Sequence, residues 1–243
     1  MSPRKIDPRV RARLVDVAAR LLAAEGPQAL SARRIATEAG SSTMPVYTHF
    51  GGMSGLVREI VYEGFARMER YFALVRESDD PVADMALLGR AYRRNALANP
   101  HLYAVMFGSS TLAGFELSEE DRQHGRYTLV NVVECAGRCM AAGRFRAADE
   151  ELVAHQMWTA THGLVTLELG GYLVAPYEPE ACFESQLVGL MAGAGDTPEA
   201  ARRSVGLSRR RMPRELAPWA EHEPAPPAGP GAGDPVGRTA AGA

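Results

Sequence analysis

Apolar and polar residues recur along most of the chain with the period of an α-helix. Val10, Leu14, Val17 and Leu21 fall on one face of a helix over residues 8–24, which is the pattern of a helix that buries one side. The same period predicts further helices over residues 54–76, 81–98, 118–140, 149–169 and 180–192, and a short apolar segment over 100–107. The fold class is therefore predicted as all-α.

Glycines separate three short helices that are predicted in the first 50 residues. The breaks fall at Gly26-Pro27, Gly40 and Gly51-Gly52. Ser31 is placed to cap the second helix, over 32–39, and either Ser41 or Ser42 to cap the third, which runs to about His49. Two short helices joined by a tight turn are typical of a helix-turn-helix unit.

The third helix carries side chains that suit the reading of DNA. A recognition helix needs small or polar side chains on the face that enters the major groove. Here that face would hold Ser42, Thr43, Met44 and Thr48. Donors suited to phosphate oxygens flank it, namely Ser31, Arg33, Arg34, Tyr47 and His49. A generic helical hairpin has the same periodicity, so the pattern alone leaves both interpretations open.

Charge is distributed unevenly, although the whole chain has 27 basic and 29 acidic residues and a formal net charge of −2. Residues 1–50 hold eight basic and four acidic side chains, residues 51–200 hold 12 and 21, and residues 201–243 hold seven and four. The first segment is thus positive and the middle one strongly negative. The net charge alone would argue against DNA as a partner, but a basic surface on an acidic body is compatible with DNA binding.

Composition also indicates where the protein acts. No apolar run approaches the roughly 18 residues that span a bilayer, and the first residues lack the apolar stretch of a secretory signal. Three cysteines in 243 residues cannot form a disulfide framework, which favours a reducing compartment. We therefore expect a cytoplasmic protein with no membrane partner.

One segment resembles a known family. The stretch Gly40-Ser-Ser-Thr-Met-Pro-Val-Tyr-Thr-His-Phe50, followed by Leu56, resembles the turn and recognition helix of TetR-type transcriptional regulators. It matches the family pattern Gly-Val-Ser-x-x-x-Leu-Tyr-x-His-Phe at Gly40, Ser42, Tyr47, His49 and Phe50, with Val46 in the leucine position. Residues 30–40 are similar to the family's second helix, so the resemblance covers about residues 8–57.

The chain departs from that family at one position. The phosphate-contacting lysine before the fourth helix is replaced by Met53, which carries no charge. One expected backbone contact is therefore lost, and Arg58 or the basic N-terminal residues are the candidates to replace it.

A looser resemblance covers about residues 85–192. Residues 92–103 and the sequence Trp158-Thr-Ala-Thr-His-Gly163 are similar to the C-terminal domain type named for its Trp-His-Gly signature. The resemblance implies a helical ligand pocket, and it implies that the last two core helices pair with their counterparts in a homodimer. Apolar bodies with a few polar groups are typical of ligand sites. The predicted ligand-binding residues are Tyr103, Met106, Phe107, Trp158 and His162.

Three domains follow from these patterns. Residues 1–53 are predicted as a helix-turn-helix DNA-binding domain, and residues 54–205 as a helical ligand-binding and dimerisation domain. Residues 206–243 are predicted as a disordered tail, because residues 213–243 contain seven prolines and five glycines and too few apolar residues for a core.

The sequence contains no motif that indicates catalysis or metal binding. It contains no nucleophile elbow, dinucleotide-binding fingerprint or phosphate-binding loop. His155 and His162 lie on one helical face about 10 Å apart, too far to ligate one ion, and Cys135 and Cys139 lack further ligands. We therefore predict no catalytic residue, no metal and no cofactor.

The sequence thus predicts a ligand-responsive transcriptional regulator, released by a small molecule from a pseudo-palindromic operator in double-stranded DNA. Repression is favoured, although an activator would use the same structure. The alternative is a helical small-molecule-binding protein with weak or lost DNA binding, for which Met53 is the motivating observation.

Overall fold

The computed structural model describes residues 8–107 and 118–217, which form α-helices and one 3₁₀ turn at Pro27–Ala29. In chain order the helices are α1 (Pro8–Glu25), α2 (Ala32–Glu38), α3 (Met44–Phe50), α4 (Met53–Ala73), α5 (Pro81–Ala98), α6 (Pro100–Met106), α7 (Glu119–Tyr127), α8 (Val130–Ala141), α9 (Glu150–Leu169), α10 (Pro179–Ala194) and α11 (Pro198–Glu215). No strand occurs in these two ranges, and the predicted all-α fold is confirmed.

Polar caps begin several helices, and that of α2 lies at the predicted residue, Ser31. The Ser31 hydroxyl accepts from the amide three residues later at 3.2 Å, at the start of α2. The Asp80 carboxylate does the same at 3.1 Å for α5, and Ser118 and Asp121 form a reciprocal capping box for α7. Each cap pairs an amide that the helix itself leaves without a partner.

The helix predicted over residues 118–140 is wrong as a single element, because α7 and α8 are separate. Between them the Thr128 hydroxyl donates to the Gly125 carbonyl at 2.7 Å. Gly125 lies so close to Phe65 of α4 that a Cβ at this glycine would be 2.6 Å from the ring. The break therefore follows from the packing of α7 on α4, which the local periodicity does not encode.

The predicted cap of α3 is also wrong. Thr43, not Ser41 or Ser42, holds the N-cap position, and its side chain makes no capping hydrogen bond. The Ser41 amide instead donates to the Ala36 carbonyl at 2.8 Å and closes the end of α2. Gly40 permits this because its φ is +62°, in the left-handed region that glycine tolerates best.

The predicted disorder of residues 206–243 is wrong for its first part. Helix α11 continues to Glu215, and its buried face consists of Ala201, Ser204, Val205 and Ser208. Two of these residues are serines, so the helix shows only a weak apolar stripe in the sequence. The rest of the predicted tail, residues 218–243, and residues 1–7, which include Arg4 and Lys5, lie outside the described ranges.

Two regions of the core position the functional surfaces. In the head, formed by α1–α3, Leu14, Leu22, Ile35 and Val46 are fully buried and fix the short helices against α1. In the body, α5 is the central helix and packs against α4, α6, α8, α9 and α11. Helix α4 contacts both parts and therefore connects them.

A network of buried charges, centred on Asp84, attaches α11 to α5. The Asp84 side chain is fully buried and accepts from Ser78, Arg138 and Arg211, with its ion pairs at 2.8 Å to Arg138 and 2.5 Å to Arg211. Arg211 also pairs with Glu215 at 2.7 Å. Polar contacts thus hold a helix whose own apolar face is small.

Candidate DNA-reading surface and ligand cavity

Helix α3 presents most of the predicted base-reading residues to solvent. Val46 is fully buried and turns the opposite face of the helix outward. On that outer face Ser42, Thr43, Met44, Tyr47 and Thr48 are all exposed. Met44 and Tyr47 have 64% and 58% of their surface accessible, so both side chains can reach a bound molecule.

Thr48 and His49 are less available to DNA than the other exposed residues of this surface. The Thr48 hydroxyl donates back to the Met44 carbonyl at 3.2 Å, so it is already bonded within the helix. His49 is half-buried, with its ring centroid 5.8 Å from that of Phe50. His49 therefore lies at the edge of the surface, and the exposed centre belongs to Met44 and Tyr47.

The adjacent arginines of α2 differ sharply in their surroundings. Arg34 donates to both carboxylate oxygens of Glu25, at 2.6 and 2.8 Å, and to Glu38 at 3.2 Å. These hydrogen bonds from Arg34 hold the pKa of Glu25 below its usual value. Arg33 is exposed and has no ion-pair partner among the described residues. The geometry therefore leaves Arg33 available to phosphate, whereas Arg34 joins the end of α1 to α2.

Met53 and Arg58 do not offer a simple replacement for the missing lysine. Met53 is half-buried at the start of α4 and packs against the core. Arg58 lies 3.2 Å from the carboxylate of Asp121 in α7, which also accepts from the Tyr62 hydroxyl at 2.8 Å. Arg58 thus takes part in a contact between α4 and α7.

In the body, four of the five predicted ligand-binding residues lie in one aromatic cluster, together with Tyr92. The Tyr103 hydroxyl is 2.7 Å from His162 Nδ1 and 2.9 Å from the Tyr92 hydroxyl. Trp158 donates its indole N–H to the Tyr92 hydroxyl at 3.3 Å. The Phe107 ring lies against His162 with 4.7 Å between ring centroids. Residues from α5, α6 and α9 therefore meet in a single hydrogen-bonded cluster.

Burial keeps the polar members of this cluster neutral. It raises the pKa of Tyr103 to about 12 and that of Tyr92 further above its usual value. It lowers the pKa of His162. Two phenols and a neutral imidazole therefore meet at this point, with no net charge.

A cavity of about 30 Å³ lies beside the cluster. It is lined by Phe72, Met85, Leu88, Gly89, Tyr92, Leu129, Val132, Met157, Trp158, Thr161 and Leu187. Of the predicted ligand residues, only Trp158 lines it, while Tyr103, Phe107 and His162 lie in the adjoining cluster. Met106 faces elsewhere, since a Cβ at Gly64 in α4 would lie 2.5 Å from its sulfur.

Sequence reasoning missed Tyr92, which joins the cavity to the cluster. It belongs to α5, 66 residues before Trp158, and only the folded chain brings the two together. Thr161 and Met157 were missed too, although each lies within one helical turn of Trp158, so the helical period around that tryptophan was a usable signal.

The described residues contain no cluster of three or more potential metal ligands. Cys135 and Cys139 are buried and unpaired, and the Cys135 thiol donates to the Pro81 carbonyl at 3.3 Å. No helix of the described ranges is long and apolar enough to cross a membrane.

Several solved structures are similar to this chain. A Rhodococcus sp. RHA1 protein of unknown function is 26% identical over 77% of this chain and 96% of its own, with a TM-score of 0.65. RolR in complex with resorcinol is 17% identical over 82% and 93%, with a TM-score of 0.61. FadR from Bacillus subtilis in complex with stearoyl-CoA is 18% identical over 75% and 98%, with a TM-score of 0.58. Among curated proteins no significant sequence match is found.

Two family models match the chain. Residues 14–60 match the model described as bacterial regulatory proteins of the tetR family, and residues 85–190 match a tetracyclin repressor-like C-terminal domain. The second description does not name the Trp-His-Gly type, and that finer expectation stays unconfirmed. Both the head and the body are covered, so this chain belongs to the TetR family of bacterial transcriptional regulators.

Proposed function

We propose that this chain is a cytoplasmic, ligand-responsive repressor that binds a pseudo-palindromic operator as a homodimer and is released by a small molecule. The observation that carries the proposal is the exposed face of α3, where Met44 and Tyr47 project from a helix whose opposite face is held in the core by Val46. The head, residues 1–53, reads DNA. The body, from residue 54 through α11, binds the effector and the second subunit.

The outer faces of α9 and α10 support a homodimer. Helix α10 is rich in apolar residues all round, yet only Phe183, Leu187 and Met191 are buried. A helix of this composition needs cover on its other side. There Gly163, Gly189 and Gly193 would let a second copy approach, because a Cβ at these positions would meet no described atom within 4 Å. The two heads would then read half-sites about 34–36 Å apart, or a multiple of that.

The DNA-reading role of α3 is tested by two alanine variants. Tyr47→Ala is expected to weaken binding to all sequences alike, because its hydroxyl contacts phosphate. Thr43→Ala is expected to change the preferred base at one position per half-site, by about 1–3 kcal/mol. Gel shifts on fragments selected by the protein from its own genome measure both effects. If neither variant changes binding to any fragment, the regulator proposal fails.

Arg33 and Arg34 form a matched pair for the phosphate contacts. Arg33→Gln is expected to reduce the slope of log affinity against log salt by about two, since each dimer would lose two cationic contacts. Arg34→Gln is expected to leave that slope unchanged, because Arg34 is engaged by Glu25 and Glu38. If both variants reduce the salt slope equally, the ion pairs of Arg34 with Glu25 and Glu38 must break when the protein binds DNA.

A second candidate is a helical ligand-binding protein whose head no longer binds DNA. It is favoured by Met53, which packs on the core where the family has a lysine, and by Arg58, which pairs with Asp121. Retention on a non-specific DNA column that falls with rising salt would exclude this candidate.

A further inference from the structure

Helix α11 presents a strongly basic face to solvent. The helix contains six arginines and two glutamates. With 3.6 residues per turn, Arg203, Arg210 and Arg214 share the side of the helix opposite to the residues that it buries. All three side chains are exposed. This arginine face is therefore a local concentration of positive charge on a chain whose residues 51–200 are acidic overall.

The three residues of the arginine face form no ion pair within the described ranges. Two other exposed arginines of the same helix do. Arg202 lies 3.6 Å from the carboxylate of Glu199, and Arg209 lies 3.4 Å from that of Glu184. Among the described residues, three positive charges spread over about 16 Å of helix axis are thus left for a partner.

The arginine face carries charge without apolar anchors, which restricts the class of that partner. The apolar residues Val205, Leu207 and Met212 of α11 are buried or half-buried, and the helix has no aromatic residue. Protein interfaces have an apolar or aromatic centre, a helix on a membrane surface inserts an apolar face, and single-stranded nucleic acids stack on aromatic rings. The phosphate backbone of a DNA duplex requires none of these, because it is bound through charge.

The arginine face lies at the end of the body that is remote from the head. Helix α3 directly precedes α4, whose 21 residues span about 30 Å. Beyond the far end of α4, the Arg76 amide donates to Glu215 at 3.0 Å. The Ser204 hydroxyl donates to Asp80, the cap of α5, at 2.7 Å. Phosphates bound at α11 therefore belong to a different DNA segment from the one read by α3.

We propose that the arginine face is a second DNA site, which binds the phosphates of a duplex segment other than the one at α3. That the first segment is an operator rests on the function proposed above. Three phosphate contacts give a slope of log affinity against log salt of about −3, so the site is weak alone. Linkage to a segment already bound at α3 raises its effective concentration there. One protein would then hold two DNA segments together.

Capture of a second duplex tests this proposal. The full chain is bound to one equivalent of a bead-attached operator duplex, selected by the protein from its own genome. A labelled random duplex of about 20 base pairs is then added in about 20 mM salt, where phosphate contacts are strong. We expect the protein on the beads to retain the labelled duplex, whereas beads with the operator duplex alone do not. Retention should fall with rising salt at a slope of about −3.

Two double variants with equal spacing and equal loss of charge locate the site. The Arg203→Gln, Arg210→Gln variant is expected to reduce retention at least about tenfold and the slope by about two, because two phosphate contacts are lost. The Arg202→Gln, Arg209→Gln variant changes two exposed arginines that are already paired with carboxylates. It is expected to change retention by less than about threefold. Both should unfold at the same urea concentration as wild type, since glutamine is a good helix former.

The proposal is overturned if the labelled duplex is not retained. It is also overturned if the two double variants lose retention equally, since net charge alone would then explain binding. A third contrary result is that poly-glutamate displaces the labelled duplex better than unlabelled duplex of equal charge does, which would identify an acidic protein segment as the partner.

The same random duplex is also titrated against the protein without operator, so that the two DNA sites are tested separately. Salt-dependent binding by the Arg203→Gln, Arg210→Gln variant reports on the head alone. Binding that is lost in this variant, with no operator selected from the genome, contradicts the regulator function and supports the arginine face. Operator binding without capture of a second duplex contradicts the arginine face alone.

Discussion

Replacing Asp84 with alanine is expected to lower the free energy of unfolding by about 3–5 kcal/mol, the cost of breaking a buried ion pair by removing one partner. The Asp84 carboxylate is fully buried and pairs with Arg138 and Arg211. Without it, Arg211 remains 14% exposed and keeps only Glu215 as an ion-pair partner among the described residues. The substitution therefore weakens the contact between α11 and α5.

Glu199→Ala is the matched control for this substitution. Glu199 lies in α11 too, but 70% of its side chain is exposed and its pair with Arg202 is 3.6 Å long. Exposed pairs of this kind contribute about 0–1 kcal/mol. Urea unfolding followed by circular dichroism measures both variants. Similar small losses for Asp84→Ala and Glu199→Ala would show that the buried network does not stabilise the fold.

The contribution of Asp84 also depends on pH. Burial alone would raise its pKa, but the hydrogen bonds from Ser78 and the pairs with Arg211 and Arg138 outweigh burial and lower the pKa. The stabilisation is then fully present above the unfolded-state pKa of about 4 and is lost as the pH falls through the folded-state value. The difference between wild type and Asp84→Ala should therefore shrink only in acid.

The head could be predicted from the sequence because its signals are local. The Ser31 cap and the glycine break at Gly40 each act within a few residues of their own position, and the structure places them as expected. The pairing of Arg34 with Glu25 could not be predicted in the same way, since it depends on how α1 and α2 cross.

The body shows where local patterns fail. Trp158 and His162 share a helical face and were predicted together, but Tyr92 reaches them only because α5 packs against α9. Helix α11 was missed for a related reason. Its inward face includes Ser204 and Ser208, whose hydrogen bonds to Asp80 and from Arg90 replace apolar burial. A hydrophobic pattern cannot register such a helix.

Gly189→Arg is expected to convert the proposed dimer to a monomer and to reduce operator affinity by about 10²–10⁴-fold. That range is the gain that joining two binding modules provides. A long charged side chain on the outer face of α10 would be buried without a partner if a second copy packs there. Sedimentation at micromolar concentration and gel shifts on the selected operator measure the two effects.

A glycine is chosen for this test so that a loss of dimerisation and operator affinity cannot be explained by unfolding. A Cβ at Gly189 would meet no described atom within 4 Å in the single chain, and arginine favours a helix over glycine by nearly 1 kcal/mol. The monomer should therefore be as stable as wild type or slightly more so. Ala141→Arg adds the same charge at an exposed position at the end of a different helix, α8, and should stay dimeric. A dimeric Gly189→Arg protein with full operator affinity would place the subunit contact on a different face.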